Sequence, residues 1–98
     1  MNTININGHN FEGPYDFANV NFNEVARVYV IVDQSKLIYI GITDNLKERM
    51  ANHHKEDCWR KHITTTNCLY VLSINNENDR QIIEQEIIKT YNPVCNDR

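Results

Sequence analysis

The fold is decided by residues 28–53, VYVIVDQSKLIYIGITDNLKERMANH. Val28, Val30 and Val32 alternate with Tyr29 and Ile31, and Ile38 and Ile40 alternate with Leu37, Tyr39 and Gly41. That two-residue period predicts two strands. The polar link Asp33, Gln34, Ser35, Lys36 is short enough to fold one run back on the other, so the pair is expected as an antiparallel hairpin. After Gly41 the period lengthens. Thr43 or Asp44 is expected to cap a helix in which Leu46, Arg49, Met50 and His53 fall at i, i+3, i+4 and i+7. One face of that helix then carries a cation and an imidazole beside apolar residues.

Working outward, residues 57–63 are long enough for a short second helix packed through Trp59 and Ile63. Residues 68–74, CLYVLSI, are apolar almost throughout and predict a third, central strand covered on both faces. Asn75, Asn76 and Asn78 supply the following turn. A helical period returns over 79–91, with Ile82, Ile83, Ile87, Ile88 and Tyr91 as its apolar set. At about 100° per residue these side chains centre roughly 50° from Glu84 and more than about 100° from Glu86. Glu84 is therefore expected on the buried stripe, where a carboxylate is costly unless a cation, hydrogen bonds or a metal compensate it. On residue chemistry alone it reads as a salt-bridged structural carboxylate. Residues 1–26 alternate weakly, are broken at Gly8 and Gly13-Pro14, and offer Phe11, Tyr15, Phe17, Val20 and Phe22 as anchors. They are expected as an N-terminal arm or an extra edge strand on a domain formed by residues 27–98.

Ninety-eight residues make one domain near the lower size limit for a self-sufficient core. The net charge of −3 leaves little general affinity for nucleic acid, since phosphate neutralisation needs Lys and Arg. Any basic surface must be local, drawn from Lys47, Arg49, Lys55, Arg60 and Lys61, with Glu12, Asp16, Glu24, Glu77 and Asp79 outside it. Cys58, Cys68 and Cys95 are odd in number and lack a C-x-x-C pair. They are expected as buried thiols of a reduced, cytoplasmic protein. His53, His54 and His62 invite a zinc reading, but the thiols are isolated in sequence and no zinc site is expected. No apolar run is long enough to span a membrane, and residues 1–10 are not expected to form a signal peptide.

The order Val28-Tyr29, then Tyr39-Ile40-Gly41 ten residues on, then Leu46-x-x-Arg49-x-x-x-His53, closely resembles the GIY-YIG nucleases. The resemblance continues through Glu84, Ile87-Ile88-Lys89 and Pro93-Val94-Cys95-Asn96, and departs where Arg27 replaces the usual glycine of the first motif. It implies a metal-dependent endonuclease of α/β (α+β) fold, with a small three-stranded, mainly antiparallel sheet flanked by helices. One divalent ion, Mg²⁺ or Mn²⁺, would be held by Glu84; Arg49 would pair with the phosphate, and Tyr29 or Tyr39 would act as general base. A phenol with a free pKa of about 10 needs nearby positive charge for that role. His53 would assist proton transfer or orient a tyrosine, Gly41 would allow close backbone approach, and Asn96 would brace the tail. Lys47, Arg49, Arg60 and Lys61 would contact nucleic acid, DNA in the first instance; a homodimer or larger assembly stays open. The competing reading is a catalytically weak or inactive binding or interaction module on the same fold. Placing both tyrosines at one site requires paired positions that sum to an even number, for example Tyr29 opposite Tyr39 and Ile31 opposite Leu37, with an odd loop or a bulge.

Overall fold

The computed structural model describes residues 2–19, 27–51 and 53–96. Val20, Phe22 and Glu24 lie outside these. In chain order the elements are β1 (Asn2–Ile6), β2 (His9–Asp16), a 3₁₀ turn (Phe17–Asn19), β3 (Arg27–Asp33), β4 (Lys36–Thr43), α1 (Leu46–Ala51), α2 (Glu56–Arg60), β5 (Asn67–Ser73) and α3 (Glu77–Tyr91). The described strands form one sheet in the order β1-β2-β5-β3-β4, with every neighbouring pair antiparallel. The sheet thus has five strands rather than the expected three. The two added strands are an N-terminal hairpin turned by Asn7 and Gly8, both at positive φ, the conformation a tight two-residue hairpin demands. β2 docks on β5 through Gly13, where an added Cβ would lie 2.6 Å from the Leu69 carbonyl oxygen. A side chain there would hold the two strands apart.

β5 is central, as its apolar run predicts, and the sheet carries a core on each face. On one face Tyr29, Ile31, Tyr39, Leu69 and Val71 pack with Phe17, Leu46, Met50 and Trp59. On the other, Val28, Val30 and Ile40 meet Phe11 of β2 and Ile83 and Ile87 of α3. The buried stripe of α3 is Arg80, Ile83 and Ile87, while Ile82 is 56% and Tyr91 45% exposed. Arg80 was not expected inside. Its Nη1 donates to the carbonyl oxygens of Ile74 and Asn75, 2.9 Å each, tying the end of β5 to the helix. Asn76 caps α3 by accepting from the Asp79 amide at 3.1 Å, so Asn76 and Asn78 belong to the helix start instead of a free turn.

Two local expectations about α1 change. Asn45, not Thr43 or Asp44, accepts from the Glu48 amide at 3.1 Å as N-cap, while Thr43 accepts from the Asn45 amide one step earlier. The helix is described over Leu46–Ala51 and His53 is not helical, so the shared helical face of Arg49 and His53 does not exist. The cysteine expectation also fails for two of three residues. Cys58 and Cys95 form a disulfide across 37 residues, and only Cys68 stays a buried thiol. Sequence spacing cannot report such a pairing because it is made by the C-terminal tail returning to α2. No helix of the described residues is long and apolar enough to cross a membrane.

Candidate functional site

Antiparallel pairing places Tyr29 opposite Gly41 and Ile31 opposite Tyr39, followed by a bulge before Val32–Leu37. The register is offset by two residues from Tyr29 opposite Tyr39, but the parity is the required one. Both tyrosines therefore face the same core, with ring centroids 6.1 Å apart. The bulge reconciles this pairing with a two-residue turn at Gln34 and Ser35, both at positive φ. Gly41 has a steric reason to be glycine. A Cβ there would lie 2.5 Å from both Cζ and Oη of Tyr29, so the phenol rests directly on the bare backbone of β4.

His53 enters from the segment between α1 and α2 and is 7% exposed. Its Nδ1 accepts the Lys55 amide hydrogen at 2.9 Å. A neutral ring accepting at Nδ1 carries its proton on Nε2. Nε2 is 2.7 Å from the Tyr29 hydroxyl, so His53 donates and the phenolic oxygen accepts. Burial above all, then the charges of His54, Arg49 and Lys55, lower the His53 pKa to about 4 and keep the ring neutral. The imidazole stands edge-on to Tyr39 at 5.2 Å and packs on Trp59 at 4.3 Å, and His54 stacks on it at 5.0 Å. Trp59 thus walls the site as well as filling the core, a role nothing in its local pattern announces.

Burial raises both phenols. For Tyr29, desolvation is reinforced by Tyr39 and opposed by Arg49; for Tyr39, desolvation is opposed by the contact with the Tyr29 hydroxyl, reinforced by Glu84 and again opposed by Arg49. The expected positive charge is present, but in the protein alone desolvation outweighs it. The contact between the two hydroxyls acts in opposite directions, raising Tyr29 and lowering Tyr39. Arg49 is exposed on α1 and lines a surface depression with Thr43, Asp44, Glu77 and Arg80.

Glu84 is half-buried on α3, and Glu86 is exposed. Desolvation raises the Glu84 pKa, and its charge is felt at Tyr39. The salt bridge that residue chemistry alone suggests is absent among the described residues: Arg60–Glu56 pairs elsewhere, at 2.6 Å. A half-buried carboxylate without a cation fits a hard divalent ion, which takes one or two carboxylates and fills its remaining positions with water and phosphate oxygens. Asn96 braces the outer edge of β4. Its Oδ1 accepts the Ile40 amide and its Nδ2 donates to the Ile40 carbonyl, both at 2.8 Å, and the Cys95 amide donates to Ile38 at 2.9 Å. Of the basic residues named from sequence, Lys47 and Lys61 are exposed, while Arg60 is engaged by Glu56 and covers the Phe17 ring at 5.1 Å.

A family model described as the GIY-YIG catalytic domain matches residues 26–97. The UvrABC system protein C of Thermosipho africanus is 33% identical over 78 residues, covering 78% of this chain and 14% of that protein. Its counterpart from Fusobacterium nucleatum is 26% identical over 85 residues, covering 83% of this chain and 14% of the relative. Among solved structures, the GIY-YIG N-terminal endonuclease domain of UvrC from Thermotoga maritima, bound to its catalytic divalent cation magnesium, is similar with a TM-score of 0.61 at 28% identity. The likeness covers 76% of this chain and 85% of that domain.

Proposed function

Because the chain belongs to the GIY-YIG catalytic domain family, we propose that it is a divalent-metal-dependent endonuclease that hydrolyses phosphodiester bonds in DNA. The observation that carries the proposal is the convergence of Tyr29, Tyr39 and His53 on one face of the hairpin, beside Arg49 and a Glu84 carboxyl that has no ion-pair partner among the described residues. Glu84 would hold the ion, Mg²⁺ or Mn²⁺, which when bound supplies positive charge to the scissile phosphate and the leaving oxygen. Arg49 pairs with the same phosphate, a task for a planar, permanently charged fork.

The two tyrosines differ in their partners: His53 gives its Nε2 hydrogen to the Tyr29 oxygen. Tyr29 or Tyr39 is the general base for the attacking water, and the charge of Arg49 favours the anion of either phenol. His53 is a positioning residue that holds the Tyr29 oxygen. Lys47 and Lys61, with Arg60 where it exchanges Glu56 for phosphate, carry the weak contacts to the nucleic-acid backbone. Residues 27–98 hold all of this machinery, the N-terminal hairpin extends the sheet at its opposite edge, and the cytoplasm is the working compartment.

The second reading, a nucleic-acid-binding module without useful catalysis, draws on the burial that raises both phenols. Cleavage of single-stranded, double-stranded and branched DNA with and without Mg²⁺ or Mn²⁺ separates the two. General-base catalysis contributes about 10²–10⁴-fold, so whichever of Tyr29→Phe and Tyr39→Phe removes the base should lose turnover on that scale, and the other should lose less. Glu84→Gln should abolish cleavage without lowering thermal stability, and Glu86→Gln should change neither. Metal-independent DNA binding with no cleavage under any condition would establish the second reading instead.

A further inference from the structure

We propose that Cys58, His62 and Cys95 form a thiol-gated site for a thiophilic divalent ion of the Zn²⁺ class, separate from the hard-ion site at Glu84. One ligand atom from each of the three residues lies within 4.8 Å of the other two. Cys58 belongs to α2, His62 follows it by less than one turn beyond the helix end, and Cys95 comes from the tail. Sequence spacing hides this set because its third member is 37 residues from the first.

The chemistry matches zinc. With Zn–S bonds of about 2.3 Å and a Zn–N bond of about 2.0 Å, tetrahedral geometry separates two sulfurs by roughly 3.8 Å and sulfur from nitrogen by roughly 3.6 Å. The sulfur–nitrogen spacing fits the 4.8 Å envelope, and the sulfur–sulfur spacing is reached once the Cys58–Cys95 bond is broken and the thiols move apart. Two thiolates and an imidazole select a soft or borderline ion over Mg²⁺. Cys95 is buried, Cys58 half-buried and His62 exposed. The set is closed on its sulfur side and open on its imidazole side, where an ion can enter and keep a water as fourth ligand.

The disulfide form holds no metal, because its sulfurs are bonded to one another. A dithiol reductant supplies two electrons and two protons, breaking the Cys58–Cys95 bond to give two thiols while it becomes a disulfide itself. Metal binding then releases those two protons, and the His62 ring contributes a nitrogen lone pair. Either link, disulfide or metal, fastens the tail to α2. That tail pairs with Ile38 and Ile40 on either side of Tyr39 through Cys95 and Asn96. The metal therefore preserves, in a reducing compartment, the fastening that the disulfide provides in an oxidising one.

The test is metal retention, independent of cleavage. The protein is reduced with a phosphine, freed of reductant without air, mixed with Zn²⁺ in excess Mg²⁺ and passed through a desalting column. Reduced protein should retain one equivalent of Zn²⁺ and oxidised protein none. Co²⁺ in place of Zn²⁺ should give a thiolate charge-transfer band and the intense visible bands of a tetrahedral ion. His62→Ala, at an exposed position the fold does not need, should weaken Zn²⁺ binding by about 10-fold or more, comparable to other losses around metal sites. Cys58→Ser should remove the charge-transfer band, while Glu84→Gln should leave Zn²⁺ retention intact. The proposal is overturned by equal retention in oxidised and reduced protein, by no retention in either, or by wild-type affinity in both His62→Ala and Cys58→Ser.

Discussion

Gly41→Ala tests the packing of the hairpin and the chemistry of the site in one substitution. The new Cβ would stand 2.5 Å from Cζ and Oη of Tyr29 and 3.0 Å from Cε1, whereas carbon atoms in contact prefer about 3.5–4.0 Å. The ring must retreat by about 1 Å, but it has no exposed surface and its hydroxyl is held at 2.7 Å by His53. Overpacking of this kind costs about 1–3 kcal/mol. The loss of chain entropy in the unfolded state returns about 0.4–1 kcal/mol when alanine replaces glycine. A net destabilisation of about 1–2 kcal/mol is expected, lowering the melting temperature by roughly 4–15 °C for a domain of this size. Because a 1 Å misplacement of a site can cost about 10²-fold, kcat for metal-dependent cleavage should fall by that order. Thermal or urea unfolding followed by circular dichroism measures the first quantity and single-turnover cleavage the second. The cycle with Tyr29→Leu isolates the cause: a leucine side chain does not reach the position of Cζ, so the alanine penalty should vanish in that background. A Gly41→Ala protein as stable and active as the parent, or a penalty of the same size in the Tyr29→Leu background, would refute the contact.

The remaining expectations follow from other parts of the site. His53 is held at about 4 in the folded protein against 6.5 when exposed, so the unfolded chain takes up a proton that the folded one refuses. Its contribution is complete above about pH 6.5 and is lost as pH falls toward 4, a change on the order of 3 kcal/mol; a His53→Gln protein whose stability falls just as steeply over that window would contradict it. Asn96→Ala removes both hydrogen bonds to Ile40 and should cost about 1–3 kcal/mol, with faster hydrogen exchange at the Ile40 amide; unchanged exchange would remove Asn96 from its bracing role. Replacing Lys47, Arg60 and Lys61 together by Ala should weaken DNA binding without slowing turnover of bound substrate. The slope of log affinity against log salt should drop by about 2 rather than 3, since Arg60 is already paired with Glu56. A slope that does not move would place the nucleic acid on another surface.

The polar residues of the site were readable because each motif is short and its spacing follows from one element. Tyr29 and Tyr39 are brought onto one face by strand periodicity alone once the register parity is right, and Glu84 is separated from Glu86 by helical periodicity. The register itself was not readable. Shifting a hairpin by two residues preserves every side-chain face, so alternation cannot distinguish Tyr29 opposite Tyr39 from Tyr29 opposite Gly41. The steric fit of the phenol on bare backbone and the bulge after Ile31 favour the second. Asn7-Gly8 was a usable hairpin signal for the N-terminal strands, but whether that hairpin joins the sheet depends on the docking of Gly13 against β5.

What the sequence by itself determined is therefore local: the β3–β4 hairpin, the central strand β5, the polarity of α3 and the identities of the groups that meet at the site. These follow from side-chain period and turn chemistry, which act over a few residues. The tertiary structure alone decided how those groups behave. It placed His53 outside α1 and fixed its tautomer through the Lys55 amide, buried the phenols until desolvation outweighed Arg49, and left Glu84 without an ion-pair partner among the described residues. It also brought Cys95 back to Cys58. The physical reason is that protonation, hydrogen-bond direction and cysteine pairing depend on burial and distance between segments far apart in the chain, quantities that no local pattern of residues encodes.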